Sequence, residues 1–177
     1  MLTHSKENLH VLIEHHPYAK SLNKKLLETS KEYHFSRDFF NEDGGPSNVR
    51  ALQTLGIVKS EVLSMWILSL IRNEPFLRIP QKISMEQMWM VKYNKGDFTQ
   101  WHHHKPAFMS FVYFVKTPRG SSPLVFTTSG KRIKAEEGKV VIFPGSMKHH
   151  VPKNRCDGRI VLAGNVVPGQ LLKDMNP

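Results

Sequence analysis

The stretch GDFTQWHHHKPAFMSFVYFV, residues 96–115, places three consecutive histidines just ahead of a run of aromatic and β-branched residues. Side chains alternate between the two faces of an extended strand. His102 and His104 would then point to one side, and His103 would point away. Two imidazoles at this spacing are well placed to share a metal ion if another strand supplies a third ligand.

A second pair of histidines, His149 and His150, follows the apolar segment KVVIF much later in the chain. Five of the 10 histidines therefore fall in two clusters at predicted strand ends. One interpretation is a mononuclear first-row metal bound by imidazoles on a β-scaffold. The other is a pair of histidine clusters with no metal. The pattern alone leaves both open.

The two halves of the chain differ in their hydrophobic period. Residues 5–33 have the 3–4 residue period of a helix, and a second helix is predicted from Ser60 to about Asn73. The second helix is apolar nearly all round, which predicts that it is buried. From residue 85 onward, short β-rich segments alternate with turn signals such as NKGD, PRGSSP and EEGK. This order predicts one domain over residues 1–177, with a mostly helical support region over 1–80 and a β-sandwich or barrel over 85–167.

Composition bears on the cellular compartment and on membrane association. The single cysteine, Cys156, allows no intrachain disulfide, which favours a reducing compartment such as the cytoplasm. The longest apolar stretch, VLSMWILSLI, is too short to cross a bilayer, so no membrane span is predicted. The oligomeric state cannot be read from the sequence.

The net charge of +10 is concentrated in one half of the chain. Residues 81–177 hold 15 Lys and Arg against 6 Asp and Glu, a balance of +9. This excess suits an anionic small molecule or an acidic macromolecule, a peptide or a nucleic acid included. Solvated loop charge is the alternative interpretation for the five basic residues near the predicted strand connections, which are Lys116, Arg119, Lys131, Arg132 and Lys134.

Two segments resemble a known family. VKYNKGDFTQWHHH is similar to the first metal-binding strand of the prolyl-4-hydroxylase-like, 2-oxoglutarate-dependent Fe(II) oxygenases, in which a Tyr and a Gly precede a His-x-Asp pair. FPGSMKHHVPKNRCDGRIVLAGN resembles their closing motif, with a distal His, a later Arg and a final Asn. SFVYFVKTPRGSSPLVF resembles a segment of small members, often from phages or marine bacteria. A phage origin would place the protein in the host cytoplasm.

The resemblance implies a fold, a reaction and a set of site residues. The fold would be mainly β with N-terminal helices (α+β), a double-stranded β-helix or jelly roll of cupin-like type packed by helices. The activity would be that of a dioxygenase, a hydroxylase that uses Fe(II), O2 and 2-oxoglutarate as co-substrate. The implied metal ligands are His102, His104 and His149, and the implied co-substrate residues are Tyr93, Arg159 and Asn165.

One position departs from the family pattern. The usual site has two histidines and a carboxylate, but His104 occupies the carboxylate position. Three neutral imidazoles leave Fe(II) at +2, whereas two imidazoles and a carboxylate leave +1. Asp97 and Asp157 are the acidic residues that could supply a carboxylate from elsewhere.

The same departure supports an alternative. Cupins share the β-helix and use Gly-x5-His-x-His, which Gly96, His102 and His104 match, but the glutamate expected after the second histidine is missing. A cupin-type three-histidine metalloprotein would not use 2-oxoglutarate, and Arg159 favours the oxygenase. A non-enzymatic nucleic-acid-binding protein is the third hypothesis. It lacks a zinc knuckle or other recognised nucleic-acid motif.

Overall fold

The computed structural model describes residues 11–38, 47–55, 57–80 and 82–169. Its helices are α1 (Ala19–Thr29) and α2 (Glu61–Arg72), with a short 3-10 helix at Ser30–Glu32. In chain order the strands are β1 (Leu12–His15), β2 (Phe35–Ser36), β3 (Val49–Arg50), β4 (Leu52–Thr54), β5 (Ile83–Tyr93), β6 (Phe98–His102), β7 (Met109–Lys116), β8 (Leu124–Phe126), β9 (Arg132–Ile133), β10 (Lys139–Pro144), β11 (His149–Val151) and β12 (Arg159–Pro168).

These strands form two antiparallel sheets. A seven-stranded sheet has the order β1-β10-β7-β12-β5-β4-β2, and a five-stranded sheet has the order β3-β6-β11-β8-β9. From β5 to β12, the chain passes back and forth between the sheets, so most neighbours in space are distant in sequence. This is the arrangement of a double-stranded β-helix, in which two sheets enclose a central space.

Two hydrophobic cores hold the layers together. One lies between the sheets, and the other lies between the seven-stranded sheet and the two helices. Strand β7 shows how they are separated, because its side chains alternate between them. Phe111 and Tyr113 pack toward the helices, whereas Val112 and Phe114 pack toward the other sheet. A strand covered on both faces is apolar throughout, which explains the segment FMSFVYFV.

Helix α2 begins and ends where the sequence predicts. The Ser60 side chain accepts a hydrogen bond from the Leu63 N–H and caps the first turn. The prediction that the whole helix is buried is wrong. One side carries buried Leu63, Ile67 and Ile71, but Val62 and Met65 on the other side are 55% and 71% exposed. Neither helix in the described ranges is long and apolar enough to cross a bilayer.

The helix predicted over residues 5–33 is wrong over its first described part. Residues 12–15 form strand β1, which pairs with β10, and helix α1 covers Ala19–Thr29 alone. Residues 5–10 lie outside the described part of the chain. The proline at position 17 disfavours a helical conformation for the preceding residue, so the chain enters the helix only after it. The region before residue 80 thus supplies strands to both sheets, besides its helices.

A buried hydrogen bond joins α1 to the sheet and yields a stability prediction. The Tyr113 hydroxyl donates to Asn23 Oδ1 at 2.7 Å. Tyr113→Phe is expected to lower the free energy of unfolding by about 1–3 kcal/mol, because the Asn23 carbonyl loses its buried donor. Urea denaturation measures the change. Tyr18→Phe, at a side chain that is 74% exposed, is the control and should change stability by less than about 0.5 kcal/mol. Equal losses in both variants would contradict the assignment.

Candidate metal centre

The structure brings together three of the histidines predicted to bind metal. His102 ends β6 and His149 begins β11, and the two residues lie opposite each other in the strand pair. Their ring centres are 4.3 Å apart, and the ring centre of His104 lies 4.8 Å from that of His102 and 5.2 Å from that of His149. One ring nitrogen of each residue lies within 4.8 Å of the others. Convergent imidazoles of this kind suit a divalent first-row metal.

Backbone carbonyls orient two of these rings. Nδ1 of His102 lies 2.9 Å from the Gln100 carbonyl oxygen, and Nδ1 of His149 lies 2.9 Å from the Met147 carbonyl oxygen. A carbonyl can only accept, so each Nδ1 carries the proton and each Nε2 keeps its lone pair. An imidazole fixed by a second hydrogen bond in this way is the usual form of a metal ligand.

Burial keeps the three imidazoles neutral. It lowers the pKa of His102, and it lowers the pKa of His149 well below the ordinary 6.5. Burial together with the neighbouring His102 and His103 lowers the pKa of His104 to about 3. Metal binding requires the deprotonated ring, so the site does not have to release protons near neutral pH to accept a cation.

A close backbone contact holds the loop that carries His104. The His104 N–H donates to the Gly145 carbonyl at 2.7 Å, and the Gly145 N–H donates to the Phe108 carbonyl at 3.2 Å. A Cβ atom at position 145 would lie 2.2 Å from the Ala107 carbonyl oxygen. Only glycine allows the two loops to approach this closely, and their contact places His104 next to the other two rings.

The remaining histidines of the two clusters lie outside the triad, as strand alternation predicts. His103 is exposed, and its Nδ1 accepts from the Lys105 N–H at 3.3 Å. The ring of His150 lies 3.2 Å from the Thr127 hydroxyl. Neither belongs to the group of ring nitrogens that could hold an ion.

The two alternative carboxylates are engaged elsewhere. Asp97 accepts from Arg37 Nη1 and Nη2 at 2.8 and 3.1 Å, and also from the Asn94 N–H. Asp157 accepts from the Lys95 N–H at 2.9 Å. Within the described residues, the candidate ligand group consists of histidines alone.

Arg159 is the most unusual side chain in the structure. It is fully buried at the start of β12, where its Nε donates to the Ser122 carbonyl at 3.2 Å. Among the described residues, neither Nη1 nor Nη2 has a hydrogen-bond partner. Its guanidinium lies 4.4 Å from the ring centre of Tyr93 and 5.5 Å from that of Phe114. Burial lowers the pKa of Arg159, but a guanidinium stays protonated in proteins. Buried charges in proteins are normally paired, so the outer nitrogens of Arg159 suit an anionic partner.

Arg159 and the three histidines line one cavity of ≈ 690 Å³ between the sheets. The end near Arg159 is enclosed by side chains of both sheets, namely Tyr93, Thr99, Leu124, Val151 and Val161. The Tyr93 hydroxyl shares a 2.7 Å hydrogen bond with the Thr99 hydroxyl. Two hydroxyls and a guanidinium thus face one enclosed space next to the metal ligands.

Thr99 is a site residue that the sequence does not predict. Simple alternation on β6 would place Thr99 and His102 on opposite faces. In the structure, His149 pairs with His102 but Val151 pairs with Thr99, so three residues of β6 span two of β11. This bulge turns both side chains into the cavity and leaves Trp101 outside, 61% exposed.

The structure separates Asn165 from the other predicted co-substrate residues. Arg159 and Asn165 share the cavity face of β12, but six residues of a strand span roughly 20 Å. The Asn165 Oδ1 accepts from the Ser110 hydroxyl at 2.9 Å. Gln87 and Glu86 line the same distant end of the cavity. Asn165 thus lies in a part of the cavity away from Arg159.

Comparisons with known proteins identify a similar family and similar folds. A family model described as a putative 2OG-Fe(II) oxygenase matches residues 87–135. No curated protein sequence matches the chain. A solved viral collagen prolyl hydroxylase from Paramecium bursaria Chlorella virus-1, in complex with 2-oxoglutarate, has a TM-score of 0.69 at 11% identity, covering 88% of this chain and 94% of that one.

Two further solved structures have the same fold. A prolyl hydroxylase from Trichoplax adhaerens, in complex with a hypoxia-inducible-factor peptide, has a TM-score of 0.68 at 11% identity, covering 94% and 87% of the two chains. A prolyl-4-hydroxylase from Pseudomonas putida has a TM-score of 0.65 at 13% identity and covers 93% of each chain. At these identities the structural matches confirm the double-stranded β-helix fold, and the family model adds a similarity to 2OG-Fe(II) oxygenases over residues 87–135.

The contact at Gly145 yields a prediction for metal binding. In Gly145→Ala the added methyl forces the two loops apart and moves His104, whereas His102 and His149 keep their strand pairing. The affinity for Fe(II), titrated calorimetrically without oxygen, is expected to fall about 10- to 100-fold, as when a group that orients a ligand is lost. Ser146→Ala, at the exposed neighbour, is the control. Unchanged affinity in Gly145→Ala would show that the contact does not position a ligand.

Proposed function

We propose that this protein, a 2-oxoglutarate- and Fe(II)-dependent oxygenase of the prolyl-4-hydroxylase-like type, holds its metal ion on His102, His104 and His149 and hydroxylates a substrate in the same cavity. Three neutral imidazoles with convergent ring nitrogens fit a divalent iron ion. When bound together, Fe(II) and 2-oxoglutarate activate O2, and the co-substrate leaves as succinate and CO2 while the substrate gains a hydroxyl group.

The observation that carries the proposal is the unpaired guanidinium of Arg159. A buried cation with two unsatisfied nitrogens costs several kcal/mol unless an anion pairs with it. A carboxylate matches the two-pronged geometry of a guanidinium, and both charges strengthen the hydrogen bonds. 2-Oxoglutarate has one carboxylate for Arg159 and, at its other end, a keto acid for a metal ion.

The remaining residues of this end complete the co-substrate pocket. The Tyr93 and Thr99 hydroxyls are already hydrogen-bonded to each other, so one of the two protons can be redirected to a carboxylate oxygen. Leu124, Val151 and Val161 surround the pocket with apolar groups and exclude water. Charge pairing is stronger in such an environment than in water. We assign Tyr93, Thr99 and Arg159 to the co-substrate, and Asn165 to the substrate end.

The cupin-type alternative without 2-oxoglutarate fits the structure less well. It explains the three histidines as well as the oxygenase does, because a metal site needs nothing more than its ligands. It gives no role to a fully buried Arg159 whose outer nitrogens are unpaired. The oxygenase accounts for both the three histidines and Arg159, because 2-oxoglutarate is a small dianion that can contact the metal ion and the guanidinium.

The end of the cavity that contains Gln87 and Asn165 leaves room for a substrate in the same cavity as the three histidines. Turnover is measured as succinate release over a panel of substrates, with O2 and Fe(II) supplied. A prolyl peptide belongs in the panel because the neighbouring structures include prolyl hydroxylases. A single-stranded oligonucleotide belongs there because residues 98–135 contain lysines and arginines but no carboxylate. The single cysteine supports a cytoplasmic setting.

Arg159→Met is expected to abolish 2-oxoglutarate binding while leaving metal binding intact. The methionine is of similar length and carries no charge, so the metal-free variant should also be more stable than the wild type. Anaerobic titration monitors the visible charge-transfer band of the Fe(II)–2-oxoglutarate complex, and thermal unfolding measures stability. Arg159→Lys is the control, which keeps the charge but loses the paired geometry and should bind weakly. A full-strength band in Arg159→Met would exclude this role for Arg159.

His104→Asp tests the third ligand. The aspartate restores an anionic ligand at the position, so Fe(II) affinity is expected to be retained or to increase, whereas His104→Ala should lose affinity at least tenfold. Calorimetric titration under anaerobic conditions compares the two variants at one pH. His103→Ala, at the exposed neighbour, is the matched control and should bind like the wild type. If His104→Asp loses the metal as His104→Ala does, position 104 is not a ligand.

A further inference from the structure

A second groove lies beside the metal-site cavity, over strands β6 and β11, and has a volume of ≈ 700 Å³. We call it the Trp101 groove. Seven side chains line the groove but not the metal-site cavity, namely Phe98, Gln100, Trp101, Thr127, His150, Pro152 and Lys153. His102 and His103 line both the groove and the cavity. A molecule in the groove would therefore extend to the edge of the metal site.

Trp101 is the principal aromatic residue of the groove. Its indole is 61% exposed, because the β6 bulge that turns Thr99 and His102 inward leaves the intervening side chains in solvent. Lys148 Nζ lies 4.8 Å from the centre of the indole ring. Exposed aromatic area of this size is unfavourable in water and gains free energy when a flat ligand covers it.

Positive charge surrounds this ring. Lys148, Lys153 and Arg132 are exposed, and Arg132 pairs with Val125, the residue that lies opposite His150 on the neighbouring strand. No Asp or Glu occurs in residues 98–135 or in residues 138–156. Glu136 and Glu137 lie between these two segments. Glu136 is paired with Lys134 and Lys139, and Glu137 accepts a hydrogen bond from the Thr117 N–H. None of the described residues that line the groove is acidic, so its positive potential suits a polyanion.

We propose that the Trp101 groove binds single-stranded nucleic acid, with an unpaired base stacked on Trp101 and phosphates on Lys148 and Lys153. Cations along the backbone and an aromatic platform for bases are the two components of single-strand recognition. In a duplex the bases are stacked on each other and unavailable to the indole. An acidic peptide would use the lysines but would gain little from Trp101.

This proposal deepens the proposed function. It rests on that function for one point alone, the identity of the substrate. If the protein is an oxygenase, a strand in the groove passes the shared edge at His102 and His103, which makes an unpaired nucleotide the substrate class. Binding in the groove requires neither metal nor co-substrate. The two hypotheses can therefore fail separately.

The test measures fluorescence anisotropy of a labelled oligonucleotide of about 12 nucleotides with the metal-free, full-length protein, since single-strand sites span roughly 4–16 nucleotides. Trp101→Ala is expected to weaken binding about 5- to 150-fold, the range for loss of one stacked base. Tyr18→Ala, at another exposed aromatic residue, should bind like the wild type. Equal binding by Trp101→Ala and the wild type would overturn the proposal.

Salt dependence provides a second measurement. Replacing Lys148 and Lys153 with alanine should reduce the slope of log K against log salt by about 1.4, since each phosphate contact of a single strand contributes roughly 0.7. Replacing Lys24 and Lys25, which are exposed on α1, is the matched control and should leave the slope unchanged. A duplex that binds as tightly as the single strand, or polyglutamate that displaces the strand at equal charge concentration, would also overturn the proposal.

Discussion

The register between β6 and β11 determines the arrangement of the site. It places His149 directly opposite His102, so two of the proposed metal ligands, from distant parts of the chain, meet through backbone hydrogen bonds. The bulge in the same pairing turns Thr99 inward beside Tyr93 and Trp101 outward into solvent. A slip of one residue would reverse all of these directions at once. One local irregularity thus shapes both the cavity and the neighbouring groove.

Arg159 gives the cavity a permanent positive charge, whereas the three histidines are neutral. The guanidinium keeps its proton although it is buried, and the three imidazoles remain neutral because they are buried. Within the described residues, the candidate ligand group contains no carboxylate. A bound Fe(II) would keep its full +2 charge, and a dianionic co-substrate would bring the metal complex to zero.

Much of the site could be predicted because its residues occur in recognisable local patterns. His102, His104, His149 and Arg159 follow motif spacing, and the cap at Ser60 marks the start of α2. The inward position of Thr99 depends on a bulge that only the pairing of two strands defines. Strand β1 was predicted as helix because Leu9, Leu12 and Ile13 fall at helical spacing. The apolar run of residues 11–13 is short enough to fit either period, and the pairing of β1 with β10 decides the outcome. The exposed face of α2 likewise depends on tertiary packing.

The unpaired guanidinium also has a consequence for the order in which ligands assemble. Arg159 and a metal ion on the histidines are two cations in one low-dielectric cavity, and each disfavours the other while the space between them lacks an anion. A dicarboxylate between them removes that repulsion and attracts both. The affinities for metal and dicarboxylate are therefore coupled, and thermodynamic linkage makes the coupling equal in both directions. Binding of the metal and the dicarboxylate together is therefore favoured over binding of either ligand alone.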